Sequence, residues 1–254
     1  MRTEILYEDK SIMVVRKPAG LAVQSAGIGQ PDVVSELKSY LAKLPGAGRP
    51  GKGEPYLGIV HRLDQPVEGL LVFAKDKKAA AALSKQLTEG ALNKHYYAVL
   101  CGYPDCPEGD LVDYLRKEGN VAVAVTGREQ EFADAKIAVL HYRILEEIND
   151  PSPLALADVT IGTGRFHQIR VQFAHAGFPL LGDTKYGMAA RKEAMPAQKY
   201  RGVALCAYSL ELVHPVSGKK MEFRVVPKNP AFAGFAMKEL KKLTENETGI
   251  SKRG

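Results

Sequence analysis

The sequence is poor in cysteine and contains no long apolar run. Its three cysteines, Cys101, Cys106 and Cys206, form no Cys-x-x-Cys pair, and their odd number favours reduced thiols in a cytoplasmic protein. Pro104 lies between Cys101 and Cys106 and no nearby residue has ligand spacing, which disfavours zinc. No segment approaches the roughly 18 apolar residues of a membrane helix, and the N-terminus MRTEILYEDK lacks the apolar core of a signal peptide. We therefore expect neither an exported nor a membrane protein.

Positive charge is in moderate excess. The 254 residues include 35 Lys and Arg against 29 Asp and Glu, which gives a net charge of +6, and 45% of the residues are hydrophobic. A chain of this size and apolar content can bury a full core. The basic surplus fits binding to a phosphate backbone, but many unrelated proteins carry the same charge. Composition therefore predicts a globular protein and favours a nucleic-acid partner only weakly.

The order of the expected elements predicts the fold class. Short apolar runs and alternating residues predict strands within residues 5–17, 69–75, 94–101, 154–161, 204–213 and 221–226. Helical spacing and capping residues predict helices at residues 33–44, 76–90, 167–176 and 231–243. Residues 111–140 are predicted as short strands and turns. Since strands often follow one another without strict strand–helix alternation, we expect an α+β fold with a mixed, mostly antiparallel sheet.

Domain boundaries are not marked by any clear linker or internal repeat. We therefore expect one domain over residues 1–254. Residues 45–55, PGAGRPGKGEP, are too rich in glycine and proline to pack and are predicted to form a flexible loop. Residues 244–254 are predicted to form a polar, frayed tail.

A first candidate site is the segment His61-Arg62-Leu63-Asp64. Asp64 stands between an apolar approach and a turn that contains Pro66 and Gly69, so its carboxylate is expected to be held rigidly at the start of a buried strand. A nucleophilic carboxylate must stay ionised, and partial burial raises its pKa unless a cation is close. The segment therefore predicts a reactive aspartate that needs a cationic partner.

A second candidate site is the segment from Gly164 to Arg170, GRFHQIR. Arg165 is expected at the start of a helix, where the helix dipole disfavours a cation by up to about 1 kcal/mol. An anion should compensate, and either the Asp64 carboxylate or a phosphate would do so. Arg170 lies on the same helix and is expected to reach phosphate. The alternative for Arg165 is an ordinary surface arginine on a loop.

Tyr96 and the histidines allow more than one interpretation. Tyr96 could stack on a base or transfer a proton, although a tyrosine in a strand is more often part of the core. Four of the six histidines, His61, His167, His175 and His214, show neither His-x-His nor His-Glu-x-x-His spacing, which disfavours a metal site. They are expected to make structural hydrogen bonds or to line a substrate cleft.

The sequence resembles the RluA-type family of pseudouridine synthases over most of its length. The similar segments are YEDKSIMVVRKPAGLAVQ, GIVHRLDQPVEGLLVFAK, KHYYAVL, GTGRFHQIRVQFAHAGFPLLGDTKYG and ALCAYSLELVHPVSGKKMEF. The resemblance implies that Asp64 is the catalytic aspartate, Tyr96 the active-site tyrosine and Arg165 the arginine that pairs with Asp64. It implies a mostly antiparallel sheet with flanking helices and a central active-site cleft. It further implies conversion of a uridine in ribosomal or transfer RNA to pseudouridine, without cofactor or metal.

The sequence departs from this family at two places. Val67 and Glu68 stand where many members have Thr-Ser, so a carboxylate is expected near the cleft. Many members also carry an N-terminal S4 RNA-binding domain, whereas this sequence begins with the catalytic segment. Substrate choice is therefore expected to rest on the catalytic domain, its loops and its C-terminal tail, and a monomer is expected.

Substrate contacts are predicted at five residues: His61, Arg62, His167, Gln168 and Arg170. A stacked uridine must be flipped out of the RNA to reach a carboxylate, at a cost of a few kcal/mol. The planar guanidinium of Arg62 or the 45–55 loop is a candidate to fill the gap. Alternatively, Arg62 pairs with a structural carboxylate.

Two other function classes remain open at this point. A catalytically inactive RNA-binding protein of the same fold would not need an intact set of Asp64, Tyr96 and Arg165, and all three are present. A metal-dependent nucleic-acid hydrolase would need clustered carboxylates, and Asp64 is the single one in its motif. The residues therefore favour the synthase.

Overall fold

The protein is described by a computed structural model for residues 1–25, 27, 29–44, 54–126, 134–149, 152–187 and 202–237. Its contacts divide the chain into two compact units, a division that the single-domain prediction did not include. Unit 1 consists of Met1–Lys94 with Ala207–Val225, and unit 2 of His95–Cys206 with Val226–Gly254. Paired strands run antiparallel in each unit, and three α-helices are present among the described residues. The α+β prediction with a mostly antiparallel sheet is confirmed.

The strands and helices follow one another in mixed order. In chain order they are β1 (Glu4–Glu8), β2 (Ile12–Lys17), α1 (Val33–Ala42), β3 (Gly58–Ile59), β4 (Glu68–Ala74), α2 (Lys77–Thr88), β5 (Asn93–Cys101), β6 (Glu108–Glu118), β7 (Val121–Val125), β8 (Lys136–Ile148), β9 (Leu154–Ile161), α3 (Gln168–His175), β10 (Leu205–Val213) and β11 (Lys220–Arg224). Most predicted elements lie within one or two residues of these bounds. The described part of the segment 111–140, residues 111–126 and 134–140, is more regular than predicted, because it contributes to three paired strands, β6, β7 and β8.

Unit 1 is built on two fully buried strands, β2 and β4. The strand order is β1-β2-β4-β10, with β11 beside β10 and the short β3 beside β4. All residues of β2 and β4 are buried. Each of the two helices begins at an aspartate whose side chain accepts a backbone N–H of the first turn, Asp32 from Ser35 and Asp76 from Ala79. Because β2 and β4 are buried along their whole length, the chain directly after β2 and the chain directly before β4 are anchored to the core of unit 1.

Unit 2 is built on the strand order β5-β9-β8-β6-β7. Helix α3 packs across β6 and β7, where Val171 joins a small core with Leu115, Ala122 and Ala138. The helix ends as predicted at Gly177, whose φ of +89° suits glycine. The loop from β9 to α3 carries the second candidate segment of the sequence.

The prediction of a helix over residues 231–243 is wrong for its described part. A 3-10 helix spans only Pro230–Phe232, after which the chain turns. The carboxylate of Glu146 accepts the backbone N–H groups of Ala236 and Met237, which a continued helix would direct to its own carbonyls. Residues 238–243 lie outside the described residues, as do residues 45–53 of the predicted loop and the predicted tail at 244–254.

Candidate active site

Asp64 lies in a tight turn that leads into β4 in unit 1. The Asp64 carbonyl accepts the N–H of Val67 at 3.1 Å, which closes the turn, and the Asp64 side chain is half-buried. The carbonyl of Gln65, the next residue, accepts the N–H of Gly20 at 2.8 Å. The backbone that carries the carboxylate is thus fixed from both sides, as the sequence predicted.

Lys17, at the end of β2, lies beneath this turn and was not predicted as a site residue. Its side chain is 0% exposed, and its Nζ donates to the carbonyls of Pro18 at 3.0 Å, Leu21 at 2.7 Å and Gln65 at 3.0 Å. Three acceptors match the three hydrogens of an ammonium group. Burial lowers the pKa of Lys17 to about 7, while the negative charges of Asp64 and Glu68 raise it. A positive charge is therefore available close to Asp64 within unit 1.

Glu68 occupies the position at which the sequence departs from the resembling family. Its side chain is buried, and its carboxylate lies 3.5 Å from the guanidinium of Arg16 on β2. The expected extra carboxylate near Asp64 is thus buried, and its charge, like that of Asp64, acts on Lys17. Glu68 is part of an internal ion pair that ties β4 to β2.

Gly69 follows Glu68 and is required by the packing. Its φ is +130°, and a Cβ at this position would lie 2.4 Å from the carbonyl oxygen and 2.5 Å from the nitrogen of Ala207 on β10. Gly69 also pairs with Lys17 across the sheet. A side chain here would therefore push β10 away from the strand that begins at the Asp64 turn.

His61 is buried and makes a structural hydrogen bond, which is one of the two roles expected for the histidines; its role as a substrate contact stays a prediction. Its Nε2 accepts the N–H of Val72 on β4 at 3.3 Å, so the ring proton of the neutral form lies on Nδ1. Burial and the positive charge of Lys94 lower the pKa of His61 to about 3. The ring is therefore neutral at physiological pH, and among the described residues its buried Nδ1 has no hydrogen-bond partner.

Arg62, one residue further, has the opposite environment. Its side chain is exposed, and an Nη atom donates to the side-chain oxygen of Gln24 at 3.5 Å. This contact is long and lies at the surface, so it leaves the guanidinium easy to move. The role predicted for Arg62 at a flipped base stays a prediction.

Arg165 in unit 2 is fixed by Gln168, the first residue of α3. The Gln168 Oε1 accepts the N–H of Arg165 at 3.0 Å and the hydroxyl of Thr163 at 2.8 Å, and its Nε2 donates to the carbonyl of Val139 at 3.0 Å. The Arg165 Nε donates to the carbonyl of Ile137 at 2.8 Å. Gln168 is buried and fully engaged. It positions the Arg165 loop, and its role as a substrate contact stays a prediction.

His167 precedes α3 and adopts a left-handed backbone with a φ of +54°. Its Nδ1 is 2.6 Å from the hydroxyl oxygen of Tyr186, and its ring stacks on that of Phe166 at 3.8 Å between centroids. The ring is half-buried. A non-glycine residue in this conformation stores strain, which is common at functional sites. Its predicted role as a substrate contact stays a prediction.

Arg170 is buried in an ion pair, and its role as a phosphate contact stays a prediction. Its Nε and one Nη donate to the two carboxylate oxygens of Asp183 at 2.7 and 2.9 Å, and both side chains are buried. A bidentate pair of this kind satisfies both charges internally. Arg170 therefore anchors α3 to the loop that contains Tyr186.

Tyr96 lies in the middle of β5 and faces the interior of unit 2. It pairs with Val159 of β9 and is 5% exposed. A tyrosine at this position can serve as a core residue. It can also serve as an active-site residue that touches the substrate only with the edge of its ring. Its predicted catalytic role stays a prediction.

The contacts that the sequence did not predict share one property. Each of them joins residues that lie far apart in the sequence. A lysine that ends a fully apolar strand, as in IMVVRK, was the available signal for Lys17. No comparable signal marks the contact of His167 with Tyr186 or of Arg170 with Asp183. Within the described ranges, no group of His, Cys, Asp or Glu residues is arranged to hold a metal ion, and no helix has the length and apolarity to cross a membrane.

Comparisons with known proteins identify the family. Residues 11–175, which include Asp64, Tyr96 and Arg165, match the model of the family described as RNA pseudouridylate synthase. The chain is 36% identical over 227 residues to the ribosomal large subunit pseudouridine synthase D of Zymomonas mobilis, covering 87% of this chain and 68% of that protein. It is 37% identical over 234 residues to the protein of the same name from Escherichia coli O6:H1, covering 87% of this chain and 65% of that protein.

Solved structures agree with this result. The fold is similar to that of human RNA pseudouridylate synthase domain containing 4, with a TM-score of 0.69, 25% identity and coverage of 94% of this chain and 93% of that chain. Human RNA pseudouridylate synthase domain containing 1 has a TM-score of 0.70 at 18% identity, covering 99% of this chain and 97% of that chain. The chain therefore belongs to the RNA pseudouridylate synthase family, whose members are isomerases that act on RNA.

Proposed function

We propose that this protein isomerises a uridine of large-subunit ribosomal RNA to pseudouridine, with Asp64 as the catalytic carboxylate. The observation that carries the proposal is the tight turn that holds Asp64 over the buried ammonium of Lys17. A carboxylate that is fixed close to a buried ammonium group is positioned to act as a nucleophile or proton acceptor. Because the turn is already formed in the protein without RNA, the Asp64 backbone does not have to be repositioned when the substrate binds.

The reaction is balanced without any co-reactant. The bond between N1 of uracil and C1′ of the ribose breaks, the base turns, and a bond forms between C5 and C1′. The proton on C5 is lost and N1 gains one, so substrate and product have the same composition. Asp64 acts either on the sugar or on the base, or removes a ribose proton to give a glycal, and these routes remain alternatives.

Arg165 is proposed as the cation that orients the Asp64 carboxylate. Its Nε is used by the carbonyl of Ile137, and its backbone is held by Gln168. We assign its two terminal nitrogens to the carboxylate, because a guanidinium binds a carboxylate in a planar, bidentate manner. Tyr96 is proposed to contact the displaced base with its ring or hydroxyl.

Arg62 is proposed to occupy the gap that the flipped uridine leaves. Its guanidinium is exposed and weakly held, so it can leave Gln24 at little cost. An Arg62→Ala change that left both binding and turnover of the RNA substrate unaltered would remove this assignment. An Arg62→Gln change keeps a polar side chain and is the matched control.

Ribosomal RNA is favoured over transfer RNA because several relatives are named as ribosomal large subunit pseudouridine synthases. The chain spans about two thirds of the length of these relatives. The test uses large-subunit ribosomal RNA and transfer RNA, each labelled with tritium at C5 of uridine. Release of tritium from the ribosomal RNA alone is expected, and release from the transfer RNA alone would overturn the substrate assignment. Mapping pseudouridines in cells with and without the gene then identifies the uridine.

A cytoplasmic location and a monomer are part of the same proposal. A ribosomal RNA substrate is available in the cytoplasm, and the proposed chemistry needs residues of one chain only. Cell fractionation and the mass of the purified protein in solution test these two points directly.

A further inference from the structure

Phe166 is an exposed aromatic residue at the edge of the Arg165 loop. Its side chain is 41% exposed, although its ring is stacked on His167 with a centroid distance of 3.8 Å and an angle of 22° between the planes. A single exposed apolar side chain is common on protein surfaces, and Phe166 is distinguished by the stacking of its ring on a supported histidine.

The His167 ring beneath it is held firmly. The Tyr186 hydroxyl accepts the N–H of Ala122 at 2.8 Å, which leaves its own hydrogen for Nδ1 of His167. The Tyr186 ring in turn lies under the guanidinium of Arg170, 5.2 Å from the ring centroid, and Arg170 is fixed by Asp183. The contacts are thus continuous from a buried ion pair, through the edge-on pair of Tyr186 and His167, to the exposed ring of Phe166, which gives Phe166 a preorganised orientation.

Positive charge surrounds the exposed ring. The Nζ of Lys117, an exposed residue of β6, lies 4.9 Å from the centroid of the Phe166 ring. Lys136 is exposed on the neighbouring strand β8, opposite Leu115, so it extends from the same face as Lys117. Arg165 precedes Phe166 in the chain. A cation on a flexible stem above an aromatic ring is well placed to bind a phosphate while a flat group takes its place on the ring.

Gly164 leaves open space beside this loop. A Cβ built at Gly164 would meet no atom within 4 Å, and its φ is not positive. Neither crowding nor backbone conformation requires a glycine here. The missing side chain leaves room for a ligand backbone to approach the Arg165 loop.

We propose that Phe166, supported by His167 and flanked by Lys117, is a stacking platform for an unpaired base of the bound RNA, distinct from the uridine that reacts. The ligand class is single-stranded RNA, since each of its nucleotides offers a flat base for the ring and a phosphate for the lysine. The base replaces the ammonium of Lys117 on the ring, and Lys117 moves to the phosphate of that nucleotide. This platform rests on the proposed function only in that the substrate is RNA.

The test uses the absence of tryptophan from the chain. A Phe166→Trp variant carries a sole indole, and a stacked base quenches its fluorescence. The probe is a short single-stranded RNA of adenosine and cytidine only, which contains no uridine to react. We expect saturable quenching by this RNA and none by a ribose-phosphate chain of equal length without bases. Val216→Trp, in an exposed turn at a residue 73% exposed, is the control and should not respond.

Two further variants measure the contribution to affinity. Phe166→Leu keeps apolar volume without a flat ring, and it should weaken binding of the adenosine–cytidine RNA roughly 5-fold or more, with Phe166→Tyr restoring it. Binding of the baseless chain should change in neither variant. Equal quenching in the Phe166→Trp and Val216→Trp variants, or RNA binding without any quenching at Phe166→Trp, would overturn the platform.

The same proteins separate this proposal from the proposed function. Tritium release from uridine-labelled ribosomal RNA by the native chain reports on catalysis alone. Turnover by the native chain without quenching in the Phe166→Trp variant would remove the platform and leave the function. Quenching without turnover would leave the platform and remove the function.

Discussion

The turn of Asp64 in unit 1 and the loop of Arg165 in unit 2 are held in place by different kinds of buried side chain. Lys17 fixes the turn with an ammonium group that donates to three backbone carbonyls. Gln168 fixes the loop with a neutral amide that both accepts and donates. A carboxylate gains from a cation under its turn, whereas an arginine needs only a defined geometry. The Asp64 carboxylate and the Arg165 guanidinium are thus supported by side chains of different chemistry.

The glycines of the two regions differ in the same sense. Gly69 is crowded by Ala207 and has a positive φ, whereas Gly164 faces open space. Packing and backbone conformation therefore require Gly69. Neither requires Gly164, where the open space is available to a ligand. Substitutions at these two glycines and at Lys17 and Gln168 test whether the two regions differ in this way.

The largest effect is expected for Gly69→Ala. Its Cβ would overlap the backbone of Ala207, and the left-handed backbone adds strain, so the free energy of unfolding should fall by about 3 kcal/mol or more. Gly119→Ala is the control, because Gly119 also has a positive φ but no neighbour within 4 Å. Its cost should be about 1 kcal/mol. Equal losses in urea denaturation of the two variants would show that the packing of β10 does not require Gly69.

Among the residues that support Asp64 and Arg165, Lys17 is expected to show the largest effect on the rate when it is replaced, as in Lys17→Met. It removes the charge below Asp64 and frees the carbonyl of Gln65, so kcat should fall roughly 100-fold because the carboxylate is misplaced. In the native protein, kcat should decline as the pH rises through the Lys17 pKa of about 7. This decline should be absent from the variant. A variant with the native pH profile would limit Lys17 to a structural role.

Gln168→Leu should lower kcat/KM without changing the shape of the pH profile. Loss of the amide leaves the N–H of Arg165 without its acceptor, at a cost of about 1–3 kcal/mol of stability, while the carbonyl of Val139 keeps its bond to the N–H of Gly162. Gln172→Leu is the matched control, since Gln172 is also a buried glutamine of α3 but donates to Leu111, Asp113 and Ala138. It should cost similar stability and little activity. Equal activity in the two variants would contradict the positioning role of Gln168.

Stability should change with pH in the direction opposite to activity. The pKa of Lys17 is lowered from 10.5 to about 7 in the folded protein, so the unfolded chain binds more protons between these values. The contribution of this group to the free energy of unfolding therefore rises as the pH increases from about 7 to 10.5. Urea denaturation of the native chain and of Lys17→Met over this range isolates the contribution. A difference between the two that does not vary with pH would contradict the shift.

The smallest effect on folding is expected for Gly164→Ala. The added methyl group meets no protein atom, so the unfolding midpoint should stay within experimental error of the native value. If RNA approaches the loop here, the same change should weaken RNA binding measurably. Unchanged binding to both ribosomal RNA and the adenosine–cytidine RNA would show that the open space is not used.

Local sequence patterns were sufficient to predict most of the fold, including the turn that carries Asp64 and the loop that carries Arg165. The turn before β4 and the helix that begins after Arg165 follow from short-range signals such as Pro66, Gly69 and the spacing of α3. The contacts that fix these groups were not predictable in this way. Lys17 acts on Gln65, 48 residues away in the chain, and a lysine at a strand end is usually exposed.

Long-range polar contacts also explain two features that local patterns did not indicate. Arg170 was assigned to phosphate from its place on a helix in a basic protein, and its pairing with Asp183 depends on how the following loop folds back. The helix at 231–243 was predicted from apolar spacing, yet Glu146 takes the N–H groups of Ala236 and Met237. In each case a long-range polar contact outweighs a local pattern.

The central claim is that the Asp64 carboxylate carries out the isomerisation. Its most direct test is tritium release from uridine-labelled ribosomal RNA by the native chain and by Asp64→Asn, with RNA binding measured in parallel. Asp76→Asn is the matched control, because it makes the same charge change at a helix N-cap where asparagine is equally suitable. We predict that Asp64→Asn retains RNA binding and loses at least about 10²- to 10⁴-fold in rate, while Asp76→Asn stays close to native. Release by Asp64→Asn at the native rate would contradict the account.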